Sequence, residues 1–312
     1  MTAPVELSFC IVNTSKREFL LRCLDAVAAE RPTLPFATEV LVLDNASDDG
    51  SAEAARRHPA SDKVIALTRR QGKGESDSQL LQAASGRYGF LLNDDSEVQP
   101  GATLALYRAM ETRPDAAAAG AELLYADGRH QTSAWRFPSV WTAVAAAVNL
   151  HRRFVVQSTG TATRDVDWAQ SAALLVRVDA ARQIGWFDPQ FFVYSDEVDF
   201  CKRLRDAGYA VLYVPEARCI HHDQLETTRV PERRIVEFSR NRERYMRKHH
   251  GRAAAAVVRI LTAWTYGVRA VAAFGLRDHE PRWYWRHVTA TLFPRRGEGL
   301  REAAAKYNRG VT

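Results

Sequence analysis

The chain has 312 residues, 46% of them hydrophobic and 26% charged, with a formal net charge of +6. This length and apolar content support one large domain or two moderate ones and exclude a collagen-like or wholly disordered chain. The positive excess gathers after residue 229, in "RVPERRIVEFSRNRERYMRKHHGR", "RWYWRH" and "PRRGEG", which points to an anionic partner: phosphate, nucleic acid or the face of an acidic membrane.

Along the first half, strands and helices alternate. "LSFCIV" (7–12) is a continuous β-rich run, after which Ser15 and Glu18 have the spacing of a capping box opening a helix. "EVLVLD" (39–44) and "KVIALT" (63–68) are the next strands, separated by the turn "NASDDGS" and a short helix through Arg57. "SDSQLLQAAS" is helical and stops near Gly86; "YGFLLN" (88–93) is a fourth strand; Pro100 is placed to start a helix; and "AAAAGAEL" (116–123) reads as a fifth strand. Apolar strands separated by helices imply an α/β fold with a mostly parallel sheet covered on both faces. Beyond residue 125, "RFPSVWTAVAAAVNLHRRF" is helical, "VDWAQSAALLVRV" (166–178) is extended and "SDEVDFCKRLRDAG" (195–208) is a helix. "AVLYVPEARCIHH" reads as two short strands ending on His221 and His222.

In such sheets a ligand lies beyond the carboxyl ends of the strands. Asn13 and Thr14, Asp44 and Asn45, and Asn93, Asp94 and Asp95 all fall at those ends, on three different strands. Two readings of "NDDS" stand side by side: the carboxylates cap a turn, or they hold a divalent cation together with a substrate diphosphate, as Mg²⁺ and Mn²⁺ are often held. In "FFVYSDEVDF", Asp196, Glu197 and Asp199 crowd the first turn of a helix just after an apolar wall. Such carboxylates favour the helix dipole and can equally serve as a general base.

The four cysteines are scattered, without metal-binding spacing, and read as small core residues of a reducing compartment. "MTAPVELSFCIVN" lacks the basic-then-apolar order of a secretion signal. Arg259 and Arg269 interrupt the apolar stretch 253–276, which argues against a spanning helix and leaves an interfacial one open. The expected location is cytoplasmic, with a peripheral place at the inner face of the cell membrane left open.

In order, "SFCIVN", "VLVLDNASDDGS", "FLLNDDSEVQPG", "DWAQSAALLVRVDAARQIGWFDPQFFVYSDEVDFCKRLRDAGY" and "VPEARCIHH" closely resemble the rhamnosyltransferase-like branch of glycosyltransferase family 2, over about residues 7–250. The resemblance implies a GT-A, Rossmann-like fold, a nucleotide-diphosphate sugar donor, a divalent cation (Mn²⁺ or Mg²⁺) and inversion at the anomeric carbon. It sets Asp95 and His221 on the metal, Asn93 and Asp94 beside ribose or sugar, and Asp44 on a pyrimidine base, with Asn13, Thr14 and Asn45 nearby. Glu197 stands at the catalytic-base position and Asp196 is the fallback, because the family's Glu-Asp order is reversed here. Trp168, Ser171 and Tyr194 fall to the acceptor: a glycan, lipid-linked or small-molecule hydroxyl. By the same resemblance, deoxythymidine-diphosphate rhamnose is the best single donor, with uridine-diphosphate hexoses next. The "RRQGKGESDSQLL" segment (69–81) keeps Gly72 and Gly74 of the family's donor loop but carries Lys73, Glu75, Ser76 and Asp77 instead of its usual residues, and Ser171 stands where a glycine is common.

These motifs imply a transferase domain over 1–228, with a donor half to about 125 and an acceptor half beyond, followed by a basic, aromatic-rich helical region over 229–312. In that region Trp264, Tyr266, Phe274, Trp283, Tyr284 and Trp285 mix with Arg259, Arg269, Arg277, Arg282 and Arg286. That mixture suits a membrane interface or a helical face packing on the core or in a homodimer. Two competing functions are a nucleotide-sugar-binding protein without transfer and, from the basic run alone, a nucleic-acid-binding protein; no nucleic-acid motif accompanies the run, so no nucleic-acid partner is expected.

Overall fold

A computed structural model of the chain describes residues 4–222, 232–275 and 280–310; Arg277, named above among the interleaved arginines, lies outside them. In chain order the elements are β1 (Leu7–Asn13), α1 (Arg17–Glu30), β2 (Thr38–Asp44), α2 (Ser51–Arg57), β3 (Lys63–Ala66), α3 (Lys73–Ala83), β4 (Tyr88–Asn93), β5 (Ser96–Val98), α4 (Ala102–Thr112), β6 (Ala116–Leu124), β7 (His130–Gln131) and β8 (Ala134–Trp135). They continue with α5 (Val140–Ala147), α6 (His151–Phe154), β9 (Arg164–Val166), β10 (Trp168–Ala169), β11 (Ala173–Arg177), α7 (Val178–Gln183), α8 (Asp196–Asp206), β12 (Ala210–His221), α9 (Glu232–Ala272), α10 (Pro281–Leu292) and α11 (Leu300–Gly310). Two compact units divide the described residues: 4–135, 157–189 and 197–222 form the first, while 136–156, 190–196, 232–275 and 280–310 form the second.

The first unit is built on one sheet of order β3-β2-β1-β4-β11-β6-β12-β5. β3, β2, β1 and β4 run parallel, and the apolar stretches of β2, β1 and β4 are buried as a sheet covered on both faces requires, with β3 half-exposed at the edge. β11 is inserted antiparallel between β4 and β6, and β12 then pairs parallel to β6, so six long strands share one direction. Every residue of β1 is buried, and Leu20, Leu24 and Val27 of α1 join Phe9, Ile11 and Phe90 in the core. Gly120 in β6 allows β10 to cross closely: a Cβ there would lie 2.4 Å from that of Ala169.

Local signals act through partners the sequence pattern did not name. Ser15 does not cap α1; it sits at φ 51°, and the Arg17 amide is capped by Asp49 at 2.9 Å from another loop. Helix α4 begins after Gly101 (φ 83°) rather than at Pro100. Its amides at Gly101 and Thr103 donate to the buried Glu30 carboxylate at 3.0 and 2.9 Å. The expected pair of strands over 210–222 is one long strand, β12, bent by an irregularity between Val214 and Arg218. The extended run 166–178 is broken into β10 and β11 by the turn that carries Ser171.

The second unit is helical. α9 runs 41 residues and bends at Gly251, whose φ of 81° only glycine adopts readily. Ile235, Val236 and Ala290 form a small core with Trp283 against it. The basic run on the first half of α9 is largely engaged inside this unit. Arg240 donates to the Pro294 and Gly297 carbonyls and pairs with Glu302, and Arg247 pairs with Glu243.

Candidate active site

Register explains why residues distant in sequence meet at one edge of the first unit. β1 sets Asn13 opposite Asp44 and Val12 opposite Asn93, bringing three strand ends together. β5 is too short to leave the edge, and its antiparallel ladder sets His221 opposite Ser96, the residue after Asp95. The His222 amide donates to the Asp95 carbonyl at 3.0 Å.

Two linked clusters result. In one, the Asn13 amide donates to Asp44 Oδ1 (2.9 Å) and Ser47 Oγ (3.1 Å), while the Ser47 backbone donates to Asp44 Oδ2 (3.0 Å). Asp44 is 2% exposed, so these donors stabilise a carboxylate that burial alone would disfavour. Asn45 clamps the neighbouring loop, donating to the Gln71 carbonyl at 3.0 Å and accepting from its amide at 2.8 Å. Gly72 then precedes α3.

In the other cluster, Asp95 is 2% exposed, and its Oδ2 lies 2.8 Å from the Lys16 ammonium. Its Oδ1 lies 3.5 Å from His221 Nε2 and has no hydrogen-bond partner among the described residues. His221 Nδ1 is 2.9 Å from Gln131 Oε1, and its Nε2 is 3.3 Å from Asn93 Nδ2. A ring donating from Nδ1 to Gln131 presents an Nε2 lone pair toward Asp95, and a proton or cation between them relieves the repulsion. Asp94 ties the strand ends together, accepting from the Thr14 amide at 3.2 Å and lying 3.5 Å from Lys16.

The adjacent carboxylates are differentiated electrostatically. Burial pushes Asp94 up to about 7 against the pull of Lys16, and the neighbouring Asp95 charge adds to the rise. Burial also works against ionised Asp95, yet His221, when its Nε2 carries the proton, and Lys16 overcome it and hold the carboxyl well below the usual range. Of the two histidines, His221 faces the acidic cluster, whereas His222 pairs with Glu97 at 2.7 Å and rests against Phe19.

No group of three or more His, Cys, Asp or Glu side chains forms a ready-made metal cage among the described residues. The donor set nevertheless fits a divalent cation: one ionised carboxylate with an unpartnered buried oxygen facing an imidazole nitrogen, the remaining positions being of the kind that water and phosphate oxygens fill.

Ser171 accepts a hydrogen bond from Lys73 Nζ at 3.1 Å, and Lys73 also pairs with buried Asp77 at 2.7 Å; three of the positions that depart from the family pattern are therefore linked through Lys73. Trp168 stacks on Trp135 with centroids 4.5 Å apart. Glu197 is half-buried in the first turn of α8. Asp199, fully buried, pairs with Arg203, which also donates to the Ile184 and Trp186 carbonyls, and so anchors that helix. Tyr194 and Asp196 belong to the second unit, where Tyr194 OH accepts from Arg234 at 2.8 Å. Tyr194 and Ser195 hold φ values of 67° and 61°, a strained turn of the kind concentrated at functional sites.

Lys16 and Gln131 went unassigned in the motif reading. Lys16 follows a strand end, a usable signal; Gln131 is placed by the β6–β7 ladder and has no local signature.

The family model described as glycosyl transferase family 2 matches residues 8–167, and that described as glycosyl transferase family group 2 matches 90–295. An N-acetylglucosaminyl-diphospho-decaprenol L-rhamnosyltransferase of Mycobacterium tuberculosis is 27% identical over 72% of this chain and 78% of its own length. Among solved structures, the mannosyltransferase PcManGT from Pyrobaculum calidifontis, in complex with GDP-Man and Mn²⁺, aligns with a TM-score of 0.58 at 16% identity, over 98% of this chain and 89% of its own. GalNAc-T7 with UDP, GalNAc and Mn²⁺ aligns with a TM-score of 0.58 at 14% identity, over 93% of this chain, which spans 57% of that structure. The fold of these neighbours is the GT-A fold expected from the motifs.

Proposed function

The chain belongs to glycosyl transferase family 2 and is a glycosyltransferase of the rhamnosyltransferase-like kind, and from that premise we propose that it moves L-rhamnose from deoxythymidine-diphosphate rhamnose, with inversion, to a hydroxyl of a lipid-linked glycan. The observation that carries the reading is the meeting of Asn13 with Asp44, and of Asn93 and Asp95 with His221, along one sheet edge. Lipid linkage of the acceptor and the choice of rhamnose draw support from the mycobacterial relative, an N-acetylglucosaminyl-diphospho-decaprenol L-rhamnosyltransferase.

Asp44 and Asn13 form the base-binding end, and Asn93 contacts the ribose or sugar. Asp95 and His221 would hold a divalent cation, which would supply positive charge to offset that developing on the departing diphosphate. Lys16, already beside both aspartates, adds a second positive charge for the same phosphates. Glu197 takes the acceptor hydroxyl proton as oxygen bonds to the anomeric carbon. Proton transfer of this kind contributes about 10²–10⁴-fold, and no covalent sugar–enzyme intermediate is required.

The test is thermal stabilisation across a panel of nucleotides and nucleotide sugars, with and without Mn²⁺, followed by release of deoxythymidine diphosphate in the presence of a polyprenyl-diphosphate glycan. A donor at about 100 times its Kd stabilises the fold by about 2.7 kcal/mol. Deoxythymidine-diphosphate rhamnose should give the largest shift, increased by Mn²⁺. A larger shift and turnover with a uridine-diphosphate hexose would replace the donor; absence of any shift across the panel would overturn the reading.

A further inference from the structure

The second half of α9 carries a row of large apolar side chains in solvent. Val257, Ile260, Trp264, Val268 and Val271 recur three and four residues apart, and Phe274 follows in the next turn. This is one helical face; Trp264 is 62% exposed and Phe274 78%. The opposite face is buried within the unit through Ala255, Val258, Ala263 and Ala270. Helix α5 packs against α9 and adds Trp141, Val144 and Val148, also exposed. Soluble proteins seldom leave such an extended apolar surface uncovered.

The charge pattern names what covers it. Segments 139–156 and 251–275 contain no aspartate or glutamate, but carry Arg152, Arg153, Arg252, Arg259 and Arg269. Of these, Arg152, Arg153 and Arg252 are exposed. A second copy of the chain, docked isologously, would set this arginine-bearing surface against itself without carboxylates to pair it. Anionic lipid headgroups supply the missing negative charge, and the acyl boundary accepts tryptophan and aliphatic side chains beneath them. By length and composition α9 could cross a bilayer, but its alanine-rich face is occupied by protein, so one exposed face points to a helix lying in the plane of the interface.

We propose that the paired faces of α5 and the second half of α9 form a docking surface for an anionic lipid bilayer. This deepens the lipid-linked acceptor reading, on which its biological role rests, but the surface itself is argued from the second unit alone.

The experiment is flotation of the full chain with vesicles of phosphatidylcholine, alone or mixed with phosphatidylglycerol, at low and high salt. The protein should float with the mixed vesicles, and less so as salt rises. Replacing Ile260, Trp264 and Phe274 together with serine should lower partitioning at least tenfold, with far-ultraviolet circular dichroism and nucleotide-induced thermal shifts unchanged. The charge reversal Arg152→Glu, Arg153→Glu and Arg252→Glu should abolish the salt-dependent part. The proposal is overturned by no flotation, by equal binding to neutral vesicles, or by a concentration-dependent dimer that the serine substitutions dissociate. Because flotation does not read sugar transfer, loss of the surface with donor binding intact condemns this inference and leaves the transferase reading standing.

Discussion

In the first unit, carboxylate and amide side chains are buried at the ends of strands; in the second, large apolar side chains stand in solvent along a helix. Either departure from ordinary burial is informative, but the two report different things. A buried polar group must be satisfied by partners, so Asp44 and Asp95 describe the chemistry around them. An exposed apolar row satisfies nothing inside the molecule, so Trp264 and Phe274 describe something outside it.

The largest expected effects test the first unit. Glu197→Gln should lower kcat by about 10²–10⁴-fold while KM for the donor and the thermal shift on donor binding stay near their original values. A matching fall in donor affinity would make Glu197 a binding residue instead. Asp95→Asn should cost about 10²–10³-fold in kcat/KM and remove the increment that Mn²⁺ adds to donor-induced stabilisation. Retention of that increment would place the cation elsewhere.

Much of this edge was legible in the sequence, because strand ends announce themselves. "VLVLDN" and "FLLNDD" each pass abruptly from apolar to polar, and parallel pairing aligns such ends. Order along the chain also gave the family. What could not be read was whatever depends on contacts between distant segments: the cap on α1 supplied by Asp49, the inserted antiparallel β11, and the ion pair between Lys16 and Asp95. The capping-box reading at Ser15 failed for this reason. Its hydroxyl is engaged with Asp48 at 2.9 Å, and the turn needed a left-handed residue there more than it needed a cap.

Two intermediate effects separate structural burial from functional burial. Glu30→Ala removes the carboxylate that receives two α4 amides and should destabilise the fold by about 2–3 kcal/mol, lowering Tm without altering donor specificity. His287 offers the corresponding case in the second unit. Burial and the nearby Arg242 and Arg269 charges depress it to about 4 from an ordinary 6.5. The unfolded chain therefore takes up its proton first as pH falls, so stability is level above the ordinary value and declines as pH drops toward the depressed one. The expected loss is about 3 kcal/mol over that window. His287→Gln should flatten the acid side of a Tm-against-pH profile relative to the unaltered protein; identical profiles would show that the ring titrates normally.

The smallest effect is the sharpest test of the contrast between the units. Trp264→Ser removes a large side chain that is mostly in solvent, and exposed positions without special contacts usually shift stability by less than about 0.5 kcal/mol. In vesicle-free buffer, Tm and turnover of a water-soluble acceptor should therefore remain as they were. In the presence of anionic vesicles, the unaltered chain should gain a blue-shifted tryptophan emission that this variant loses in part. A large fall in Tm without lipid would mean that the tryptophan already packs against protein, and the exposed row would then belong to the fold rather than to a surface outside it.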